Sequence, residues 1–323
     1  MNTDQLTYLI FGGVIVIALI FDLGLLSKKN THITLRKAFW QTILWVSLAV
    51  GFMFFVWYEY GQIIAMEYLS AYLTEWSLSI DNIFVFILIF TFFGVKEVYY
   101  ARVLLIGILM AIIFRIVFIT IGIALVERFG WLLYIFGVIL VYTGIKMFAA
   151  KQDEEVNLSE NKVYGFLKRF LPLVPDDGEG KFTVRRNGKK YYTSIFAVVV
   201  MLATTDIVFA VDSIPAVFGI STHRVVIYTS NIFAVLGLRS LFFLLRGAVG
   251  KFAYLQQGIA IVLVFIGIKM LAEDLIHDYI SKGVMTLISL GVIIICILGS
   301  MWYSVKKQKK GTPPEVEDGS IDL

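Results

Sequence analysis

Cysteine occurs once in the 323 residues, as Cys296 inside an apolar run, which excludes a disulfide framework, a CxxC redox pair and a cysteine-based zinc cluster. Histidine is nearly as scarce. His32, His223 and His277 all fall between apolar stretches. Charge is short as well: 16% of residues are Asp, Glu, Lys or Arg, whereas 59% are hydrophobic, against about 25% and 45–50% in soluble domains. No Lys/Arg-rich arm interleaved with aromatics is present, so the net charge of +4 reads as a topological signal, not a nucleic-acid footprint. Water is not the main solvent of this chain, whose mean hydropathy is +0.84.

What it has instead is long apolar runs. Crossing a hydrocarbon core takes roughly 20 residues, and nine segments qualify, at about 6–26, 39–58, 69–95, 99–126, 131–149, 194–220, 225–248, 253–272 and 283–304. The expected fold is therefore an all-α polytopic membrane protein of nine helices. The first run is not read as a signal peptide, because Lys28, Lys29, Arg36 and Lys37 follow it and no small-residue cleavage site closes it. Basic residues gather near Lys28 to Lys37, Lys96 to Arg102, the 150–193 segment, Arg246 with Lys251, and Lys306 to Lys310. Loops near Glu59, Arg128, Thr222 and Asp274 are basic-poor. Because short basic loops stay cytoplasmic, this alternation predicts an N-terminus outside and a C-terminus in the cytoplasm.

The chain divides accordingly into two N-terminal helices (1–68), a three-helix unit (69–149), a cytoplasmic loop (150–193), a second three-helix unit (194–272), and a last helix with a basic tail (273–323). The loop carries an interfacial amphipathic pattern from Asn161 to Phe170. Asn187-Gly188, set between two β-prone runs, predicts a two-residue hairpin. A linker with a small hairpin accounts for these features without a regulatory role.

The two three-helix units resemble each other. Gly144-Ile145-Lys146-Met147 recurs as Gly267-Ile268-Lys269-Met270, Arg115 matches Arg239, and Ser79-Ile80-Asp81 matches Thr204-Thr205-Asp206, all at offsets of about 123–125 residues. An odd number of spans per unit inverts the second relative to the first, the arrangement common in secondary transporters, whose sites lie near the midplane between repeats. Chance likeness of apolar helices would not match charged positions in order.

Carboxylates and guanidinium groups inside a span cost about 2.5–3.5 kcal/mol each on insertion scales and normally face a bundle interior. Glu75 and Asp81 lie in span three, Asp206 and Asp212 in span six, and Arg115 and Arg239 in spans four and seven. Counting from the expected helix starts, Asp81 and Asp206 share a depth near the midplane, with Glu75 and Asp212 in a second layer about 9 Å away. Six residues turn a helix by about 240°, so the two acids of one span do not share a face unless the helix breaks. Pro215 is the candidate break, since it would free the carbonyl of Val211. Ser79, Asn82, Thr204, Thr205, Ser213 and Asn231 supply neutral oxygens nearby. Such hard donors suit Mn²⁺, Ca²⁺ or Mg²⁺ better than zinc or copper. Arg115 and Arg239 read as charge-balancing counter-ions, with a direct role in substrate handling or gating as the sharper alternative. Lys146 and Lys269 lie near helix ends, where they snorkel.

At these residues the chain resembles the TerC family of membrane proteins, named for tellurium resistance and placed in the LysE transporter superfamily. Glu75-Trp76-Ser77-Leu78-Ser79-Ile80-Asp81-Asn82 is similar to the family's first acidic motif, the Thr205 to Ala216 run to its second, and Ser230 to Arg239 to a third. The likeness covers roughly 6–305. It implies a non-enzymatic Mn²⁺ exporter, in some members linked to supplying metal to extracytoplasmic enzymes. Glu75, Asp81, Asp206 and Asp212 are then the metal-binding candidates, and the bacterial inner membrane is the expected location. No permanent cofactor is implied: Mn²⁺ is the transported ion, with Ca²⁺ a weaker candidate. A coupling proton or sodium ion is possible. Two other classes compete with this reading. An intramembrane aspartyl protease would need Tyr-Asp and Gly-x-Gly-Asp settings, which are absent. A scaffold or metal supplier for partner proteins, acting in tellurium or metal-stress resistance, is the remaining alternative.

Overall fold

In the computed structural model the described residues are 3–26, 33–149, 171–174, 176–186, 188–246, 254–273 and 279–308, with isolated positions between them. The side chains of residues 21–26, Asp81, Phe84, Asp212 and Gln308 lie outside that description. Among the described residues nine apolar helices follow in order: α1 (Thr3–Leu26), α2 (Leu35–Tyr60), α3 (Gln62–Phe92), α4 (Glu97–Arg128), α5 (Leu132–Ala149), α6 (Ser194–Ile220), α7 (Arg224–Leu245), α8 (Leu255–Leu271) and α9 (Lys282–Gln308). Eight of them are long and apolar enough to cross a membrane, and α8, at 17 residues, is slightly shorter. At about 1.5 Å per residue α8 extends about 25 Å.

The chain is an all-α polytopic membrane protein, and its surface shows why. Leu9, Ile17, Ile113, Val138, Val208 and Ile295 are exposed, while Glu67, Glu75, Arg115, Asp206 and Asn231 are buried. Apolar atoms outside and polar atoms inside is the inverse of a water-soluble fold, as a hydrocarbon solvent demands. The most enclosed helix is α7, buried continuously from Thr229 to Phe243.

Between α5 and α8 the backbones approach closely. A Cβ placed on Gly144 would stand 2.8 Å from the Ala260 carbonyl oxygen and 3.0 Å from the Val264 nitrogen. One placed on Gly267 would stand 2.8 Å from the Gly137 carbonyl oxygen and 2.9 Å from the Val141 nitrogen. Gly144 facing Ala260 and Gly137 facing Gly267 make the two helices antiparallel. Exchanging each residue for its counterpart 123 positions away converts the first contact into the second. The crossing is thus two-fold in sequence as well as in space, and small residues make it possible where helices associate by van der Waals packing.

At the end of the bundle where α3 stops and α4 starts, β1 (Thr183–Arg186) and β2 (Lys189–Tyr192) pair antiparallel, with Arg186 opposite Lys189. The hairpin expected at Asn187-Gly188 is present, and Gly188 takes the positive φ of 76° that such a turn needs. The preceding turn docks on α4: the Lys96 ammonium lies 2.8 Å from Asp177 Oδ2 and the Arg102 guanidinium donates to the Gly180 carbonyl at 3.0 Å. Lys96 holds the Asp177 carboxyl below its ordinary pKa. The amphipathic pattern at 161–170 falls largely outside the described residues.

Two boundaries differ from expectation. Helix α3 begins at Gln62, not near 69, because Glu67 in its second turn is buried and paired, so a charge there does not end the apolar helix. Pro215 does not break α6, which runs continuously past it to Ile220. A proline removes one backbone hydrogen bond and need not end a helix whose surroundings are packed.

Candidate functional site

Near the middle of the bundle one guanidinium gathers side chains from three helices besides its own. Arg115 of α4 is 1% exposed. Its Nε donates to Asp206 Oδ2 at 3.0 Å and its Nη2 to Asp206 Oδ1 at 3.1 Å. This is a bidentate pair, which fixes orientation as well as charge. Its Nη1 makes a short contact to Glu75 Oε1 and donates to Asn231 Oδ1 at 3.0 Å. Ser213 Oγ stands 3.4 Å from the same nitrogen. Asn231 is aimed by its own helix, since its Nδ2 donates to the Ile227 carbonyl at 3.0 Å. Asn231, wholly buried on α7, therefore presents its oxygen to the site.

The helices place these groups at one depth. The middle residues of α3 and α6 are Ser77 and Ile207, so Glu75 and Asp206 both lie at mid-span. With both acids ionised, two carboxylates against one guanidinium would carry one net negative charge in the described cluster. In a medium without water that imbalance favours a further cation.

The two-layer arrangement is corrected in one respect. Glu75 lies within reach of the Ser213 hydroxyl, next in sequence to Asp212, as an antiparallel pairing of α3 and α6 requires. Yet Glu75 and Asp206 are not in separate layers, because the Arg115 side chain lies between them and binds both. A flat group with donors on two edges reaches across a gap that helix arithmetic alone leaves empty. The side chains of Asp81 and Asp212 lie outside the described residues, although their backbones belong to α3 and α6.

The supporting residues divide. Ser213 and Asn231 reach Arg115, as above. Ser79 and Asn82 are buried. Thr204 is turned onto its own helix, its hydroxyl donating to the Val200 carbonyl at 2.8 Å, and Thr205 is half-buried. Arg239 is buried in α7. Among the described residues no group of three or more His, Cys, Asp or Glu side chains is placed to hold a metal ion.

Sequence reasoning missed Glu67, which is fully buried. Its Oε2 accepts from Ser221 Oγ at 2.5 Å, and the Lys282 ammonium stands 3.1 Å from Oε1. The signal was available: Glu67, Ser70 and Thr74 share one helical face by their spacing of three and four residues.

On the side of Asp206 away from Glu67 the bundle is apolar and tight. Phe86, Leu104, Ile108, Leu202, Val235 and Leu238 surround a void of about 10 Å³, room for about one water. The cluster is shut on that side.

Comparison with known proteins follows the same residues. The family model for the integral membrane protein TerC family matches residues 60–311. A Salmonella typhi protein with the provisional name membrane-bound redox modulator Alx is 39% identical over 324 residues, covering 96% of this chain and 99% of its own. The protein of that name from Escherichia coli K12 is 37% identical over the same shares. An uncharacterized membrane protein of Myxococcus xanthus is 42% identical over 267 residues, 82% of this chain and 83% of its own. No solved structure matches the chain.

Proposed function

The chain belongs to the TerC family of integral membrane proteins, and from that membership and the buried cluster we propose that it is a secondary transporter exporting a hard divalent cation, with Mn²⁺ as the first candidate. The observation that carries the reading is the pairing of Glu75 and Asp206 across Arg115 at mid-span. Their oxygens, with those of Asn231 and Ser213, are the hard donors that Mn²⁺ or Ca²⁺ takes. Arg115 acts as a tethered cation. It pairs with both carboxyl groups in the closed form and yields part of that shell when the metal enters. Asp81 and Asp212 add charge from the same two helices. Rocking of one three-helix unit against the other about the Gly144–Gly267 crossing would expose the cluster to either side in turn. The basic-loop bias makes the hairpin end cytoplasmic, and exchange with a proton or sodium ion would return the empty carrier.

The redox role in the relatives' name has no dithiol to run on here, because Cys296 is the sole cysteine. We therefore assign any redox effect of this chain to metal supply.

Purified protein in vesicles preloaded with Mn²⁺ tests the reading. Asp206→Asn and Glu75→Gln should each lower metal flux at least about tenfold, the scale on which metal-site partners act. Asp81→Asn should do the same. Wild-type flux in all three would overturn the assignment.

A further inference from the structure

About twelve ångströms along α3 from Glu75, by the rise of eight helical residues, the same helix carries a second buried carboxylate with an environment of its own. Glu67 is 0% exposed. It lines a cavity of about 120 Å³ together with Gly219, Ser221, Lys269, Glu273 and Lys282. One of its oxygens is satisfied by Ser221. The other, Oε1, accepts no hydrogen bond: the Lys282 ammonium is at ion-pair distance but not aligned to donate. Lys282 is the first residue of α9 and its side chain is 65% exposed, so it is free to swing away into solvent. Lys269 lines the same cavity, and its ammonium donates to the Gly219 carbonyl at 3.2 Å.

Between Glu67 and the central cluster lies a row of buried polar atoms without hydrogen-bond partners among the described residues. Ser70 Oγ, Thr74 Oγ1 and Glu75 Oε2 on α3 accept or donate no hydrogen bond, and neither does Ser230 Oγ on the adjoining α7. Buried polar atoms are almost always satisfied in folded proteins. Several such atoms on one stretch of α3 run from the cavity toward the charged cluster, and buried polar atoms of this kind call for ions or water as partners.

We propose that Glu67, with Ser221 and the cavity beside them, is a second binding station for a divalent cation, and that the Ser70–Thr74 face of α3 connects it to Glu75. Lys282 occupies the station when the cation is absent. An ammonium on a flexible stem neutralises the buried carboxylate without blocking it, and an arriving Mn²⁺ displaces that ammonium into solvent. The station needs no symmetry mate in the other unit, because it serves the end of the bundle formed by the start of α3 and the α6–α7 turn. The connection to Glu75 rests on the transport reading, whereas the station itself is a matter of binding.

Equilibrium dialysis of MnCl₂ against the purified full-length protein in detergent tests it. Wild type should bind one more Mn²⁺ per chain than Glu67→Gln, and Lys282→Ala should tighten that additional site about tenfold by removing its competitor. Lys282 is exposed, so this second variant keeps the test alive where the first fails to fold, as a melting curve would show. Unchanged stoichiometry in folded Glu67→Gln, or unchanged affinity in Lys282→Ala, overturns the station. Asp206→Asn separates the two ideas. Binding lost there but untouched in Glu67→Gln removes the station and leaves the central site, and the reverse pattern removes the central site alone. For the route, Ser70→Ala with Thr74→Val should slow vesicle flux severalfold at full stoichiometry, and wild-type flux would overturn it.

Discussion

Helices α3 and α6 hold matching places in the two three-helix units, yet the buried face of the first half of α3 is polar and that of α6 is apolar. At the offset of 125 residues that sets Asp81 on Asp206, the positions of Glu67, Ser70, Thr74 and Glu75 correspond to Tyr192, Ile195, Val199 and Val200. Ile195 and Val199 are buried, and the void beside Asp206 on that side is lined by apolar groups. Symmetry is kept where backbones touch, at the Gly144–Gly267 crossing, and broken along the polar face of α3. A pair of units that were alike in both respects would be open or shut on both faces together. The asymmetry lets this conformation be sealed toward the hairpin end while it stays polar toward the other.

The sharpest break in the comparison is to remove the charge that both helices share. Arg115→Met leaves Glu75 and Asp206 buried without their counter-ion and should cost about 3–5 kcal/mol, read as a lower melting temperature in detergent. Adding Asp206→Asn to that variant should restore part of the loss. If Arg115→Met melts like wild type, the guanidinium does not hold the two helices together.

The symmetric region predicts equal effects. Gly144→Ala and Gly267→Ala each put a methyl group within 3.0 Å of backbone atoms, and overpacking of that kind costs about 1–3 kcal/mol. The two losses should agree closely, whereas Gly51→Ala, with nothing within 4 Å, should be neutral or slightly stabilising. A large difference between Gly144→Ala and Gly267→Ala would show that the crossing is two-fold in sequence only.

The smallest effect is the most telling about the polar and apolar faces. Val199→Thr buries a hydroxyl in an apolar wall and should destabilise by about 1–3 kcal/mol. Thr74→Val, at the matching place on α3, removes an orphan hydroxyl and should leave stability unchanged or raised, although it slows transport. Equal losses from the two substitutions would mean that the α3 hydroxyls are paired after all.

Much of this was legible before any coordinates. Apolar runs of span length named nine helices because a bilayer leaves backbone groups no other partner, and Asn187-Gly188 named the hairpin because few dipeptides accept that turn. Charges inside spans pointed to Glu75, Asp206 and Arg115 because burying them unpaired is too costly. Glu67 escaped notice for a related reason: hydropathy treats an acid near a helix start as the edge of a span, and only its contacts with Ser221 and Lys282 show it to be interior.

The sequence by itself therefore determined the solvent, the helices, the repeat and the residue types of the site, since each follows from local composition and periodicity. Only the tertiary structure decided that Arg115 lies between the two acids, that Pro215 is accommodated without a break, and that the polar row on α3 and the apolar wall on α6 lie at opposite ends of the bundle. Those outcomes depend on the reach of long side chains and on the register between helices distant in sequence, neither of which any single segment encodes.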